Sequence, residues 1–525
     1  MHIFSYKRPF SLSLQHGVSL TPSTMVPPME KKPFRTTCST DLCFAIFISS
    51  ALVWVFLCFD YSTFHSSTNG VPITSSLNPT VFSTDNPNKL LLKPPSSATR
   101  TVDPCSGRYL FIQNIPSRFN LDLIRNCQSL TRGTDKSDMC PYLVNSGLGP
   151  EIENSRGVFL NNSWFKTNQF LLEVIFHNNM KQYECLTNNS AMASAIYVPF
   201  YAGLDISHYL WNPSISVRDS SARDFLSSVS EKPEWKRMFG RDHFFVAGRI
   251  SWDFRRQTDE VSDWGSKLRF LPESHNMTML SVEASSWKND FAIPYPTYFH
   301  PSKLSEVVEW QSLMRARRRH HLFTFTGAPR PDLADSIRGM VIEQCRGSGL
   351  CKFIDCSSDG VNCDDPITTM EVFQSSIFCL QPPGDSYTRR SIFDSILAGC
   401  IPVFFHPGTA YSQYLWHFPE NQTVYSVYIP VRDVKNWNES IEGILNGISK
   451  DRVSAMREEV IRIIPRIVYG DPRSKTGNFE DAFDLAVKGI LERVENIRKK
   501  IREGSDPSEG FDDPDHFKYT FSSKN

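Results

Sequence analysis

The sequence predicts an α/β protein with two parallel, doubly wound sheets behind an N-terminal membrane anchor. Strand-like apolar runs alternate with helix-like segments from residue 105 onward, an order typical of parallel sheets with crossover helices. A charged segment containing "RARRRHH" interrupts this alternation, which then restarts. The chain has 525 residues, 40% of them hydrophobic, and single cores rarely grow beyond about 250–300 residues. Two domains are therefore expected.

An uncharged apolar segment at residues 42–59 is the first predicted element. Its length is close to the roughly 20 residues that span a bilayer as a helix. The long stretch before it and Asp60 after it favour an uncleaved signal anchor over a cleaved signal peptide. Basic residues prevail before the segment, which predicts a cytosolic tail at residues 1–41 and a lumenal remainder. The Ser-, Thr- and Pro-rich residues 60–104 are expected to form a flexible stem.

The N-terminal α/β domain is predicted at residues 105–305. Its helices are predicted within 116–127 and 168–180, where apolar residues have helical spacing. Its buried strands are predicted from apolar runs bounded by turn residues. These runs are "RYLFIQNI" at 108–115, "AIYVPFYAG" at 195–203, "DHFFVAG" at 242–248 and "MTMLSVE" at 277–283.

The C-terminal α/β domain is predicted at residues 306–475. "LFTFTG" forms a strand that ends at Gly327, and residues 332–345 form a helix. In "CLQPPGDSYTRRSIFDSILAGCIPVFF", at 379–405, a strand, a loop, a helix and a second strand follow one another. Apolar residues at helical intervals predict a packing helix within 476–503. The acidic residues 504–525 are expected to be disordered.

The cysteines and glycosylation patterns fit a lumenal location. Disulfides persist in the oxidising secretory compartments, and a bridge between Cys105 and Cys127 is one prediction, although sequence alone does not fix connectivity. Four clustered cysteines have spacings unlike those of zinc sites and are predicted to form structural disulfides: Cys345, Cys351, Cys356 and Cys363. N-x-S/T acceptor patterns, which agree with a secretory route, occur at Asn161, Asn188, Asn276, Asn421 and Asn438.

The charge pattern predicts a local anion site. With 56 basic and 56 acidic residues the net charge is 0, so no overall field favours nucleic acid. Loops at the carboxyl ends of parallel strands bind ligands, and the free N–H groups that begin a helix attract anions. Thr388, Arg389 and Arg390 lie on the first turn of the helix after "QPPGDSY", where arginine opposes the helix dipole. A nucleotide diphosphate would offset that cost, with Asp394 one turn further on, toward ribose hydroxyls.

Structural alternatives stay open for these residues. Arg390 and Asp394 are four apart and could simply pair on the helix surface, and Gly384 could be an ordinary turn residue. The "TGAPRP" segment offers a second strand-to-helix loop with Arg330, which favours phosphate binding. Arg338, on the following helix, could instead be solvated.

Several long segments resemble the exostosin-type glycosyltransferases of family 47, in particular the plant xyloglucan galactosyltransferases. They lie between residues 105 and 501 and include "NQFLLEVIFHNNMKQYECLT", "AIYVPFYAGLDISHYLW", "KPEWKRMFGRDHFFVAGRISWDFRR", "NDFAIPYPTYFHP" and "FTGAPRPDLADSIRG". The resemblance implies two Rossmann-like domains of glycosyltransferase-B type in a Golgi type II membrane protein. It also implies inverting transfer of galactose from UDP-galactose to O2 of xylosyl side chains of xyloglucan, with other Golgi glycosyltransferases as candidate partners.

The same resemblance implies that the C-terminal domain binds the UDP-sugar. The residues expected around the nucleotide are Arg330, Gly384, Ser386, Tyr387, Thr388, Arg389, Arg390 and Asp394. No metal is expected, because enzymes that hold the diphosphate through Mn²⁺ usually carry D-x-D after a strand. Here that pattern occurs at Asp513 and Asp515, in the acidic tail.

Inversion requires a general base for the acceptor hydroxyl, which the N-terminal domain should supply. Asp205 is favoured, because it follows the strand at 195–203 on a loop at the carboxyl end. Asp253 and Glu173 compete with it, and His243 or His300 could serve instead.

Each candidate base also has a structural interpretation. Asp205 could cap the next helix, Asp253 could pair with Arg255 or Arg256, and His300 could be a hydrogen-bonded core residue. Stacking faces for a glucan chain could come from Trp211, Trp252, Tyr295 and Tyr298.

Two other functions remain open at this point. A family member could transfer arabinose, another pentose or galacturonate to a wall polysaccharide, since donor choice depends on a few pocket residues. A non-catalytic glycan-binding protein is less favoured, because the loop keeps both arginines and the aspartate.

Overall fold

The computed structural model describes residues 103–130, 138–154, 156–210, 214–363, 365–436, 440–474, 479–505 and 507. The predicted cytosolic tail, anchor and most of the stem lie outside these residues, as does nearly all of the predicted disordered tail. All described residues belong to one compact unit. Within the part of the chain that the structure describes, no helix combines the length and apolar character that crossing a bilayer requires.

The first sheet has five parallel strands in the order β1-β2-β3-β4-β5. Its strands are β1 (Tyr109–Ile112), β2 (Ala193–Tyr197), β3 (His243–Ile250), β4 (Thr278–Glu283) and β5 (Asp290–Ala292). Every residue of β4 is buried, including the terminal Glu283. Strands covered on both faces appear in sequence as nearly continuous apolar runs, which is why the four longer strands could be predicted.

The second sheet is also parallel and five-stranded, in the order β10-β9-β8-β6-β7. Its strands are β6 (His321–Gly327), β7 (Cys351–Asp355), β8 (Ser376–Gln381), β9 (Ile401–Phe404) and β10 (Val427–Tyr428). The α/β class with two parallel sheets is confirmed. The exact bounds of the two domains stay a prediction.

Helices cover the sheets and connect their strands. Their bounds are Leu121–Arg125, Leu172–Lys181, Ala202–Ser207, Ile215–Ser230, Trp235–Met238, Pro272–Asn276, Leu304–Ala316, Arg338–Gly347, Pro366–Gln374, Arg390–Leu397, Val431–Asn436, Ile441–Asn446, Lys450–Arg462 and Ala482–Arg502. The last helix returns to the first sheet, where the Phe483 ring lies 4.8 Å from that of Phe176 and Arg498 donates to the Ala193 carbonyl.

The disulfides correct one prediction and extend another. The predicted Cys105–Cys127 bridge is wrong: Cys105 pairs with Cys185, and Cys127 with Cys140. Cys105 precedes β1 and Cys185 precedes β2, so the pairing of these neighbouring strands brings both cysteines to one end of the sheet.

The four clustered cysteines pair as Cys345–Cys351 and Cys356–Cys363, which confirms them as structural. A further bridge, Cys379–Cys400, joins β8 to the start of β9. No group typical of a metal site occurs among the residues that the structure describes.

The predicted glycosylation acceptors differ in exposure. Asn161, Asn188 and Asn421 are exposed, and Asn276 is half-buried, with its amide nitrogen donating to the Phe239 carbonyl. Asn438 lies outside the described residues.

Candidate active site

The carboxyl ends of the two sheets meet at a contact between Glu283 and Thr388. Glu283 ends β4, and its Oε2 accepts hydrogen bonds from the Thr388 N–H at 2.8 Å and from the Thr388 hydroxyl at 2.6 Å. Thr388 closes the loop between β8 and the helix Arg390–Leu397. Ligands of open α/β sheets bind at carboxyl ends, so this junction is the candidate site.

The 382–389 loop is stabilised by hydrogen bonds between its own residues. Gly384 donates its N–H to the Ser386 carbonyl at 3.0 Å, and Arg389 Nη1 donates to Ser386 Oγ at 3.2 Å and to the Thr388 carbonyl at 3.0 Å. A Cβ on Gly384 would lie 1.9 Å from Arg389 Nη2. Gly384 therefore leaves room for the Arg389 guanidinium in this conformation.

Three arginines converge on this loop: Arg330, Arg338 and Arg389. Arg330 pairs with Asp385 at 3.1 Å, and Arg338 donates to the carbonyls of Pro383 at 2.9 Å and Ala328 at 3.1 Å. The suggestion that Arg338 is solvated is wrong, because its exposure is only 3%.

Electrostatics favour a bound anion at this arginine cluster, by which we mean Arg330, Arg338 and Arg389. Burial, with help from Arg389 and Arg330, lowers the pKa of Arg338 to about 9. The Nη2 atoms of Arg330 and Arg389 are buried without a hydrogen-bond partner among the described residues. Buried donors that lack a partner are costly, and phosphate oxygens suit guanidinium donors well.

Arg390 contacts a different set of residues from Arg389. Its Nη1 donates to the Thr167 carbonyl at 2.6 Å, and its guanidinium lies 3.6 Å from the centroid of the Tyr298 ring. The suggested pairing with Asp394 exists at 3.5 Å, but both side chains are buried rather than on the helix surface.

Asp394 has a carboxylate oxygen that is available to accept a hydrogen bond from a ligand. Burial raises the pKa of its carboxyl to about 6, against the opposing effect of Arg390. Oδ1 of Asp394 and Nη2 of Arg390 are buried and lack hydrogen-bond partners among the described residues. Ribose hydroxyls could satisfy both atoms, so this assignment stays a prediction.

A flat pair of rings borders the loop. Tyr387 stacks on His406 with ring centroids 4.0 Å apart and an interplanar angle of 12°. His406 follows β9 and was missed in the sequence; a polar aromatic residue just after a buried strand was the available signal. Burial lowers the pKa of His406 to about 4, so the ring is neutral near pH 7.

The structure gives two of the predicted bases structural partners. Glu173 accepts N–H bonds from Gly203, Leu204 and Gly248 at 2.7–2.9 Å, and burial raises the pKa of its carboxyl to about 7. Asp253 binds Arg249 at 3.2 Å and the indole N–H of Trp264 at 2.7 Å.

The alternative partners suggested for Asp253 are therefore wrong. Arg255 pairs with Asp290, and Arg256 pairs with Asp219. Arg255 and Arg256 directly follow the 3-10 helix Ser251–Phe254, and their distant partners are not revealed by the sequence order.

Asp205 does not lie on a loop, contrary to prediction. It is within the helix Ala202–Ser207, 6% exposed, and accepts a hydrogen bond from Ser221 Oγ at 2.7 Å. Burial raises the pKa of Asp205 to about 7. The loop prediction failed because β2 ends at Tyr197 and the chain then enters a short helix.

The other candidates are mostly buried. His300 binds Thr167 Oγ1 at 2.9 Å and the Tyr469 carbonyl at 2.8 Å, which confirms it as a hydrogen-bonded core residue. His243 Nδ1 lies 2.8 Å from Asp242 Oδ1.

The candidate stacking residues are mostly buried as well. Tyr295 and Tyr298 are buried and Trp252 is half-buried, whereas Trp211 lies outside the described residues.

Two parallel sheets whose carboxyl ends meet beside a partly buried arginine cluster define an α/β protein with a candidate cationic ligand site. The chain belongs to the exostosin GT47 family, whose domain matches residues 104–445. The resemblance noted in the sequence is thereby confirmed, and the chain is a glycosyltransferase.

Curated relatives from Arabidopsis thaliana cover most of the chain. It is 57% identical over 477 residues to a probable xyloglucan galactosyltransferase, GT14, covering 90% of this chain and 91% of the relative. It is 54% identical to the xyloglucan galactosyltransferase MUR3, covering 80% and 68%. It is 40% identical to the xyloglucan-specific galacturonosyltransferase 1, covering 74% and 58%.

Among solved structures, the pneumococcal O-GlcNAc transferase GtfA in complex with UDP and GlcNAc is similar to 53% of this chain and 59% of its own, with 11% identity and a TM-score of 0.25. A TM-score at this level carries no argument.

Proposed function

We propose that this chain is an inverting galactosyltransferase that moves galactose from UDP-galactose to O2 of xylosyl side chains of xyloglucan, in cell-wall hemicellulose synthesis. The arginine cluster carries the structural part of this proposal, because its three guanidinium groups converge on one loop, where the buried Nη2 atoms of Arg330 and Arg389 lack a hydrogen-bond partner among the described residues. The names of relatives with 54% and 57% identity support the sugar and the acceptor.

Donor binding would use the groups already oriented at the loop. The diphosphate would accept hydrogen bonds from Arg330 and Arg389, and Arg338 would add positive charge beside the loop. The leaving UDP gains negative charge as the glycosidic bond breaks, and preorganised cations stabilise such charge. Since guanidinium groups supply the positive charge that a divalent ion supplies elsewhere, we expect transfer without added metal.

The same proposal places the enzyme in the Golgi membrane. The apolar segment 42–59 would anchor it as a single-pass type II protein with the catalytic part in the lumen. The two parallel sheets with a ligand site between them fit the glycosyltransferase-B type, with xyloglucan binding on the side of the first sheet.

Galacturonate is the second candidate sugar, and the 40% identity to a xyloglucan-specific galacturonosyltransferase favours it over pentoses. Galacturonate differs from galactose by a carboxylate, so its transfer would need an additional cation near C6 of the sugar. The acceptor would be the same polymer.

A donor panel tests the proposal. The lumenal part, secreted without the anchor, is incubated with UDP-galactose, UDP-galacturonate, UDP-arabinose or UDP-xylose and a xylosylated glucan oligosaccharide, with chelator present. We expect one added hexose from UDP-galactose, linked β to O2 of xylose, by product mass and linkage analysis. Transfer from another donor alone, or none from any donor, would contradict the proposal.

A further inference from the structure

We infer that Glu283 is the general base that deprotonates the acceptor hydroxyl. This assignment rests on the proposed function and adds to it the residue that performs the proton transfer. Glu283 was not among the candidate bases that the sequence indicated.

The first argument is position. Glu283 belongs to the first sheet, yet its carboxylate contacts the donor loop of the second sheet through the N–H and hydroxyl of Thr388. The Tyr295 hydroxyl lies 3.3 Å from the same Thr388 oxygen. A base supplied by the acceptor side must reach the anomeric carbon beside the diphosphate, and Glu283 lies at that junction.

The second argument is the free oxygen of this carboxylate. Glu283 is fully buried, and its Oε1 has no hydrogen-bond partner among the described residues. An unpartnered buried carboxylate oxygen costs free energy, and such atoms in native proteins call for an explanation. An acceptor hydroxyl that donates to Oε1 supplies the missing partner and is already aligned for proton transfer.

The third argument is that the rival carboxylates are otherwise engaged. Glu173 accepts hydrogen bonds from three backbone N–H groups. Asp253 pairs with Arg249 and accepts a hydrogen bond from the indole of Trp264. Asp205 binds Ser221, on the helix Ile215–Ser230. Neither a hydrogen bond nor an ion pair in the described structure connects these three carboxylates to the donor loop.

The acid–base properties of Glu283 suit the task. Burial raises the pKa of its carboxyl to about 7, against the effects of Thr388, Ser386 and Arg389. A general base acts best when its pKa lies near the working pH.

The reaction balances with this residue alone. The acceptor O2 attacks C1 of galactose while the bond from C1 to the UDP oxygen breaks, and the electron pair of that bond leaves on UDP. The proton of O2 passes to Oε1 of Glu283. It returns to solvent after product release, which regenerates the carboxylate.

The first test is Glu283→Gln in the lumenal enzyme, using the donor that the wild type accepts. Glutamine keeps one oxygen that can accept from Thr388, so we expect UDP affinity within about twofold of wild type. We expect kcat to fall by about 10²–10⁴, the range for a lost general base.

Azide needs no deprotonation and should restore donor consumption in this variant, giving a β-glycosyl azide. Glu371→Gln, whose side chain is 61% exposed, serves as the control and should match wild type.

The second test, Thr388→Val, stands even if Glu283→Gln fails to fold. A base must be ionised, so kcat falls as the pH drops below its pKa. The Thr388 hydroxyl stabilises the charged form, so its removal should move the acid limb of the kcat profile to higher pH. A purely structural Glu283 would lower stability without moving that limb.

Three outcomes would overturn the inference: near-normal kcat in Glu283→Gln, loss of kcat that azide does not restore, or an unmoved acid limb in Thr388→Val. If the wild type transfers galactose and one of these occurs, the base assignment fails while the proposed function stands. If the wild type uses no donor, both fail.

Discussion

Arg338 and Arg389 show how single residues create the electrostatics of the site. A buried guanidinium is stable only with hydrogen-bond partners, and Arg338 has two backbone carbonyls. Arg389 binds only neutral oxygens, of Ser386 and Thr388. Neither hydrogen-bonds to a carboxylate in the described residues, so both leave positive charge beside the loop that a bound anion would offset.

Arg389→Ala tests this charge. A hydrogen bond to a charged group contributes about 1.5–3 kcal/mol, so we expect UDP affinity to fall by about 10- to 150-fold, measured by calorimetry. Arg346→Ala is the matched control, because Arg346 is 60% exposed and pairs with Asp355; its UDP affinity should match wild type. Equal affinities for wild type and Arg389→Ala would remove Arg389 from the donor site.

Residue types in the loop were predictable, but their partners were not. The sequence singled out the arginines, Gly384 and Asp394 as candidates, because loop chemistry follows from local order; their role in binding stays a prediction. It missed Glu283, since a glutamate that ends an apolar run is indistinguishable from a solvent-facing strand end. Its contact with Thr388 joins residues 105 positions apart, and separations of that size cannot be inferred from spacing.

At the scale of elements, β8, β9 and the helix between them form the platform for the loop. The strands pair directly, with Phe378 beside Ile401 and Gln381 beside Phe404. The Cys379–Cys400 bridge joins two cysteines that are 21 positions apart and flank the loop and the helix. This bridge fixes the ends of the segment that carries Arg389 and Arg390.

Replacing Cys379 and Cys400 by alanine tests this role. Loss of a bridge over about 21 residues should lower the free energy of unfolding by about 3 kcal/mol, measured by guanidinium denaturation. Opening the shorter Cys356–Cys363 loop, with a separation of 7, should cost roughly 1 kcal/mol less and serves as the comparison. An unchanged midpoint for the double alanine variant would show that strand pairing alone holds the platform.

Element boundaries were less predictable than element types. The helix expected from 332 begins at Arg338, because residues 331–337 form turns in which Ser336 bonds to the Leu333 carbonyl. The helix expected from Thr388 begins at Arg390, because the backbone of Arg389 is extended, with φ −150° and ψ 147°. In both cases a tertiary contact or loop shape replaced the local helical preference.

At the scale of the whole molecule, contacts across the sheets position the site. Glu283 reaches Thr388, and Arg390 reaches the Thr167 carbonyl while covering the Tyr298 ring. The helix Ala482–Arg502 then returns along β2 and packs Phe483 on Phe176. The two-sheet class followed from strand–helix alternation, whereas these long-range contacts required the folded structure.

A crystal structure of the lumenal enzyme with UDP tests the central claim most directly. We predict the diphosphate at the 382–389 loop, with phosphate oxygens within 3.2 Å or so of the Arg330 and Arg389 guanidinium groups and the ribose toward Asp394. A nucleotide bound elsewhere, or these arginines still bonded only to protein with UDP present, would contradict the proposed donor site.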